Sequence, residues 1–300
     1  MFLCSMRFLK GCYKDISIGQ RIVLLAAMIL FFSSISLIAA KLLQGEYSSI
    51  ATTPVENLLL RQTLDTIAFF ILPLLVYLYL RGKSLKKWVF GSQQLDPTVF
   101  VLIGLMMLVS IPIVQALAAF NAAIPFPESW QLAIEMEAEI NNVLNRFFES
   151  DSTLVAIWLF FAIAILAPIG EEFLFRGLLI RFFNTSGWSA FSSVTVSAFI
   201  FSLLHMQMLG FIPRFLLGIL LGYLFYRSGA LLYSIWAHFM YNGLAYMLHI
   251  YESGNDVPEQ LASAVSGESV IVLTLCSILL LLFVFLFIKR VSKKRILPLS

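Results

Sequence analysis

The chain has 300 residues, of which 60% are hydrophobic and only 12% carry a charge. Soluble globular domains contain about 25% charged residues, so this composition excludes an ordinary soluble domain and predicts a polytopic membrane protein. We therefore expect membrane lipid as a partner and no nucleic acid, and the net charge of +3 is small. The cysteines at positions 4, 12 and 276 have no CxxC spacing, which excludes a disulfide framework and a cysteine-based metal site.

Eight segments are candidates for membrane-spanning helices, because each is close to the length of about 20 mostly apolar residues that a bilayer requires. Their predicted bounds are 22–43, 66–80, 98–120, 153–183, 190–208, 211–226, 230–248 and 269–288. The second is short, and the fourth is too long unless it tilts or projects from the bilayer. Residues 128–149 carry apolar side chains at helical spacing, which predicts an amphipathic helix at the membrane interface. The predicted fold is an all-α polytopic transmembrane bundle of about eight spans with this one interfacial helix.

The spans and their charges divide the chain into three regions. Region 1–152 holds three spans and the amphipathic helix, region 153–249 holds four spans, and region 250–300 holds a loop, the last span and a basic tail. Lys and Arg concentrate before the first span and after the second, fourth, sixth and eighth, whereas acidic residues fill the alternate loops. Because basic loops stay in the cytoplasm, both termini are predicted to be cytoplasmic. The compact plan favours a bacterial cytoplasmic membrane.

Region 153–249 carries polar residues where apolar ones are expected. A charge at the bilayer centre costs roughly 2.5–3.5 kcal/mol on insertion scales, so such groups turn towards each other or towards a wet cavity. We predict one pocket lined by the fourth, fifth and seventh spans. Its six polar residues are Glu171, Glu172, Arg176, His205, His238 and Asn242.

Helical spacing predicts how four of these residues are arranged. Glu172 and Arg176 are four residues apart and can pair along one helix face. His238 and Asn242 are also four apart, so their side chains leave the helix in the same direction.

These side chains suit the hydrolysis of an amide bond. A carboxylate in an apolar pocket can act as a general base, and a neighbouring histidine can hold the attacking water. A second imidazole and a side-chain amide can stabilise the oxyanion. The motif helices offer no serine or cysteine with an obvious base, which disfavours a covalent route. Glu and His could instead bind zinc; the HExxH spacing is absent, and the composition leaves a metal open.

Three motifs in this region resemble one known family. Glu171–Arg176 resembles its EExxxR motif, Phe201–His205 its FxxxH motif and His238–Asn242 its HxxxN motif. The family is the CAAX prenyl protease 2 type, also called the CPBP or Abi group of intramembrane glutamic endopeptidases. One such motif alone is weak, but three in order on separate spans are specific. The resemblance covers about 153–248, so the first three spans and the last lie outside it.

The resemblance implies a role for each motif residue. Glu171 would be the base that activates water, assisted by His205, and His238 with Asn242 would stabilise the oxyanion. It implies a glutamic mechanism with no cofactor, zinc being the minority alternative. Two motif residues would support the site by shape and charge: Glu172 and Arg176.

The favoured interpretation is an intramembrane endopeptidase that hydrolyses a peptide bond of a membrane-associated protein or peptide. A proton-coupled transporter would also place Glu and His at mid-membrane, but it should show an internal repeat, and none is evident. A non-catalytic immunity or sensor protein of the same fold should show a damaged motif, whereas all three motifs are intact.

Depth presents a difficulty for this site. Residue counting puts Glu171 in the inner half of its span and His205 in the outer half of its own. The two can share one water only if the predicted helix ends are wrong by a turn or two, or if the long fourth helix begins outside the lipid.

Overall fold

The chain is mainly helical in the part that its computed structural model describes, which is residues 10–13, 17–44, 52–91, 95–254 and 266–291. Ten helices and no strand lie in those ranges, which confirms the predicted all-α class. The helices are α1 Ile18–Gln44, α2 Val55–Leu80, α3 Leu85–Phe90, α4 Pro97–Ala122, α5 Gln131–Phe148, α6 Thr153–Thr185, α7 Ala190–Leu203, α8 Phe211–Ser228, α9 Leu231–Gly254 and α10 Val270–Arg290.

Six of these helices are long and apolar enough to cross a membrane, namely α1, α2, α4, α6, α8 and α10. They correspond to six of the eight predicted spans. The other two predicted spans are the helices that lead to or carry the candidate histidines. Helix α7 has only 14 residues, and α9 has 24 residues but includes His238 and Asn242. Both pack against neighbouring helices, α7 on α8 and α9 on α4, α6 and α8.

One end of the bundle collects the basic residues, and we call it the basic end. There the guanidinium of Arg181 donates to the carbonyl of Trp88 at 2.8 Å, and Arg290 pairs with Asp96. Asp96 also caps α4 by accepting from the Thr98 N–H at 2.9 Å. The hydrogen bond from Arg290 holds the pKa of the Asp96 carboxyl below its usual value. These contacts connect α6 to α3 and α10 to the start of α4 on the side that the charge pattern predicts to be cytoplasmic.

The predicted amphipathic helix forms at the opposite end, which we call the α5 end. A 3₁₀ turn at Glu128–Trp130 leads into α5. The second half of α5 packs on the bundle through Val143, Leu144 and Phe147. The first half leaves apolar side chains exposed, among them Leu132 at 70%. Helix α5 therefore covers the bundle with one half and presents apolar surface with the other.

Helix α6 is widened by two π-helical segments, Phe161–Leu166 and Phe173–Ile180. The first lies just before Pro168, which lacks an N–H and would crowd the carbonyl of the preceding turn in a regular helix. A widened turn leaves carbonyls without their usual partners. Side chains from other helices bind two carbonyls within these segments: Asn242 donates to the Ile163 carbonyl at 2.9 Å, and Ser197 donates to the Phe175 carbonyl at 2.9 Å.

Glycines allow three helices to approach α6 and each other closely. A Cβ on Gly170 would lie 2.7 Å from Cβ of Phe70, so α2 packs directly against α6 just before the acidic pair. Gly218 and Gly222 on α8 face Ala198 and Val194 on α7. Small residues four apart are the usual way for membrane helices to bring their backbones together. This contact places the Gly218 carbonyl within reach of the motif arginine on α6.

Candidate active site

Glu172 is fully buried and its carboxylate is surrounded by donors. Arg176 donates to Glu172 Oε1 at 2.7 Å, so the pair predicted from the spacing forms. The Nδ1 of His238 lies 2.9 Å from the same oxygen, and the Ser234 hydroxyl donates to Oε2. The second terminal nitrogen of Arg176 donates to the Gly218 carbonyl at 3.1 Å. A buried carboxylate is tolerated only when charge and hydrogen bonds compensate for lost water, and all three partners do so here.

Phe201, the first residue of the second motif, packs against three site residues. Its ring lies 4.6 Å from the Arg176 guanidinium carbon. Its centroid is 4.8 Å from the His205 ring and 5.9 Å from the His238 ring, both edge to face. An aromatic ring at this position therefore contacts both imidazoles and the cation of the buried pair.

The ring of His205 has a defined tautomer. Its Nδ1 lies 2.7 Å from the Phe201 carbonyl, which can only accept a hydrogen bond. Nδ1 therefore carries the proton, and in the neutral ring Nε2 keeps a free lone pair. The ring is thus prepared to accept a proton or a hydrogen bond at Nε2.

Glu171 faces a cavity, whereas its neighbour Glu172 faces the protein. The Glu171 side chain is 13% exposed, and its Oε2 lies 3.8 Å from Nε2 of His238, which is longer than a hydrogen bond. Glu171, His205 and Asn242 all line one cavity of about 690 Å³. Three of the six residues predicted to share a pocket therefore do so, whereas Glu172, Arg176 and His238 do not line it.

The rest of the cavity wall is largely apolar and comes from α2, α5, α6 and α9. Its apolar residues include Leu58, Val143, Leu144, Phe147, Leu159, Ala162, Ile163 and Tyr246. Arg61 and Asp65 on α2 also line it and form a half-exposed ion pair at 3.6 Å. The second half of α5 contributes to this wall, so it covers the cavity at the α5 end. Such a space suits an extended apolar segment with a polar backbone to be bound at Glu171.

His238 and Asn242 share a face of α9, as their spacing predicts, but they reach different partners. His238 contacts Glu172 and Glu171 and is not among the residues that line the cavity. Asn242 gives one amide hydrogen to the Ile163 carbonyl in the widened turn of α6. Its second amide hydrogen and its carbonyl oxygen are left for a ligand in the cavity.

The depth difficulty is removed by two helix lengths. Helix α6 has 33 residues and begins at the α5 end, so Glu171 lies near its middle. The predicted fifth span, 190–208, is wrong at its end, because α7 stops at Leu203 and His205 lies in the turn that follows. That turn meets Glu171 and Asn242 at the cavity.

Sequence reasoning missed three polar residues that support this arrangement. Ser234 lies one turn before His238 on the same face of α9, and this spacing could have indicated it. Asn121 is buried in α4, where an amide in an apolar span is a signal by itself. Glu137 is buried on α5 at helical spacing from Ile140 and Leu144, so an acid on the apolar face marked it.

Gly177, which follows the first motif, has a packing role that can be tested. A Cβ at this position would lie 2.2 Å from the Trp88 ring. That ring cannot easily move, because the Arg181 guanidinium stacks on it at 4.5 Å and binds the Trp88 carbonyl.

We expect Gly177→Ala to destabilise the protein by about 1–3 kcal/mol through overpacking. Thermal unfolding in detergent measures this. Gly19→Ala is the control, since no atom lies within 4 Å of its Cβ position; equal melting temperatures of the two variants would contradict the packing role.

In the described part of the chain, no group of three or more His, Cys, Asp and Glu side chains is arranged to hold a metal ion. Glu172 pairs with His238 and Arg176, and Nδ1 of His205 binds the Phe201 carbonyl.

Comparison with known proteins gives two matches. Residues 153–244 match the family described as Type II CAAX prenyl endopeptidase Rce1-like. UPF0177 protein YaiF of Lactococcus lactis subsp. lactis (strain IL1403) is 30% identical over 135 residues, which are 45% of this chain and 55% of that protein. The chain thus spans about half the length of this curated relative. No solved structure matches the chain. The segment 153–244 contains all six motif residues, and it is similar to the Rce1-like CAAX prenyl endopeptidase family, in agreement with the resemblance of the three motifs.

Proposed function

We propose that this protein is an intramembrane endopeptidase that hydrolyses a peptide bond of a membrane-associated protein or peptide with a water activated by Glu171. The observation that carries the proposal is the shared cavity of Glu171, His205 and Asn242 within a segment that matches an endopeptidase family. Six helices able to cross a membrane make the chain an integral membrane protein, and its substrate must reach the cavity from the same lipid phase or its surface.

The first chemical step is attack by water on the scissile carbonyl carbon. Glu171 accepts a proton from this water, and the free lone pair on Nε2 of His205 orients the water as a hydrogen-bond acceptor. The new bond joins the water oxygen to the carbonyl carbon, and the carbonyl electrons move onto its oxygen.

Donors near Glu171 stabilise the oxyanion that results. Asn242 supplies its second amide hydrogen, since the first is held by Ile163. His238 supplies Nε2–H when that nitrogen is protonated, and its Nε2 already lies 3.8 Å from Glu171. Such preorganised donors act most strongly in sites that exclude water. When the carbon–nitrogen bond breaks, Glu171 returns its proton to the leaving amine.

Glu172 and Arg176 support this chemistry without touching the substrate. The Glu172 carboxylate accepts from Nδ1 of His238 and thereby fixes the orientation of that ring. Arg176 balances the charge of Glu172 and binds α8 through the Gly218 carbonyl. Glu172 thus orients His238 in the way that the acid of a hydrolytic triad orients its histidine.

We further propose that the reaction needs no metal or other cofactor. Cleavage should therefore persist after dialysis against a zinc chelator. Loss of activity that added zinc restores would favour the metal alternative, in which a zinc-bound water is the nucleophile.

The proposed location is the cytoplasmic membrane of a bacterium with both termini in the cytoplasm. The relative from Lactococcus supports a bacterial source, and the basic end supports the orientation. In that orientation the cavity lies towards the extracytoplasmic half of the membrane, beneath α5.

Comparing protein N-termini in membranes tests the proposed activity. Membranes that contain the wild-type protein should accumulate new N-termini that are absent from membranes with Glu171→Gln at the same protein level. The cleaved bonds should lie in or beside apolar segments. If no N-terminus depends on Glu171 in the organism's own membranes, the endopeptidase proposal is wrong.

Asn242→Ala should lower kcat by roughly 100- to 1,000-fold with little change in KM, because its partner oxygen acquires charge only in the transition state. Steady-state cleavage of a peptide found by the N-terminal comparison measures both constants. Asn142→Ala, an exposed amide on α5, is the control and should retain full activity. A change confined to KM would contradict the assigned role of Asn242.

A further inference from the structure

The turn that carries His205 has an unfavourable backbone. Met206, the next residue, has a φ of 54°, and it is the only residue other than glycine with positive φ in the described part of the chain. A side chain with a Cβ disfavours this left-handed conformation, so the turn persists only if surrounding contacts hold it. The position of His205 therefore depends on what restrains residues 204–210.

Asn121 at the end of α4 restrains this turn from one side. Its side chain is 1% exposed. The amide nitrogen donates to the Met208 carbonyl at 2.9 Å, and the amide oxygen accepts from the Ile212 N–H at 2.7 Å. One side chain thus binds the backbone both before and after the start of α8.

Glu137 on α5 restrains the turn from another side. It is 4% exposed, and its Oε2 accepts from the Leu209 N–H at 2.9 Å. This bond also connects the turn to the helix that covers the cavity. Neither Glu137 nor Asn121 takes part in the proposed chemistry, and both precede the family-matched segment 153–244.

We propose that Asn121 and Glu137 are positioning residues that hold the His205 imidazole against the water bound at Glu171. The region before residue 153 then supplies part of the catalytic geometry. This inference rests on the proposed endopeptidase function. Its physical basis is that three hydrogen bonds from two buried side chains oppose the relaxation of a strained turn, and a displacement of about 1 Å at a catalytic group can cost about 100-fold in rate.

A purely structural role is the competing explanation. The N–H groups of Leu209 and Ile212 lie at the start of α8, where helix donors need partners, so the two side chains could serve only to cap that helix. A capping role would affect stability, whereas a positioning role would affect His205. The experiment must therefore observe His205 directly.

The test compares Asn121→Ala and Glu137→Ala with Asn142→Ala and Glu139→Ala, two exposed positions on α5. We expect the first two variants to lower kcat by about 100-fold with a smaller effect on KM, and the controls to keep wild-type values. Glu137→Gln retains an acceptor oxygen and should recover most of the activity.

Histidine NMR gives a readout that does not depend on cleavage. The chain has only three histidines, so ¹⁵N-labelled histidine yields few signals, which single substitutions assign. In the wild type, Nδ1 of His205 should appear protonated and hydrogen-bonded. In Asn121→Ala and Glu137→Ala the His205 signals should shift or broaden while those of His249 stay unchanged.

Met206→Gly provides a rescue that a capping role does not predict. Glycine adopts positive φ without penalty, so Met206→Gly added to Asn121→Ala should partly restore kcat and the His205 signals. Unchanged kcat and unchanged His205 signals in folded Asn121→Ala and Glu137→Ala would overturn the positioning role while leaving the endopeptidase proposal intact. A wild-type protein that cleaves nothing would overturn the endopeptidase proposal, and the histidine signals would still report whether the two residues restrain His205.

Discussion

Glu171→Gln is expected to lower kcat by roughly 100- to 10,000-fold, the range that a general base contributes, while the melting temperature stays at the wild-type value. The Glu171 carboxylate faces the cavity, and its Oε2 lies 3.8 Å from Nε2 of His238. Glutamine has the same shape and makes no new clash, but it cannot accept the proton of the attacking water. The variant should therefore be folded, inserted and inactive.

Single-turnover cleavage and thermal unfolding of the same purified samples check this prediction. His205→Gln should show the same pattern of lost rate and retained stability. Glu139→Gln, at an exposed acid on α5, controls for the change of charge. Near-normal cleavage by Glu171→Gln would exclude this residue as the base and would favour the alternative of a metal-bound water.

Arg176→Met should destabilise the protein by about 3–5 kcal/mol, because it leaves the Glu172 carboxylate buried without its cationic partner. The two side chains are among the most deeply buried in the described chain, at 1% and 0% exposure. The substitution also removes the hydrogen bond from Arg176 to the Gly218 carbonyl and the contact of Arg176 with the Phe201 ring. Methionine fills much of the volume, so the loss is mainly electrostatic.

Chemical or thermal unfolding in detergent measures this cost, and a double substitution identifies its cause. Glu172→Gln with Arg176→Met removes both charges while keeping an acceptor for His238, so it should be more stable than Arg176→Met alone. Arg61→Met is a matched control, since Arg61 pairs with Asp65 at the same i,i+4 spacing but near the surface. It should change stability by about 0–1 kcal/mol. If the Arg176 and Arg61 variants lose equal stability, the buried pair is not a structural support.

These two predictions assign different roles to adjacent acids. Consecutive residues on a helix point in directions about 100° apart, so one can face a cavity while the other faces the protein interior. Glu171 takes the first position and Glu172 the second. Glu171→Gln is expected to lose activity without losing stability. Arg176→Met, which breaks the pair between Arg176 and Glu172, is expected to lose stability.

Two predicted spans, α7 and α9, are not among the helices that are long and apolar enough to cross a membrane, and both lie next to candidate histidines. The 14-residue α7 and the polar-containing α9 both lie against other helices, so they do not need the apolar length that a lipid-facing span requires. Hydropathy reports the average environment of a segment. It therefore fails where a helix is surrounded by protein and carries functional polar groups.

The sequence by itself determined the class of fold, the six motif residues and the two pairs at four-residue spacing, because helix geometry relates residues within one turn. It could not determine that His238 binds Glu172 across 66 residues, or that Asn121 and Glu137 restrain the turn after His205. Those contacts depend on the relative positions of separate helices. The π-helical segments, the close helix contacts at glycines and the helix ends set these positions. Packing of the whole chain decides these positions, and only the tertiary structure records them.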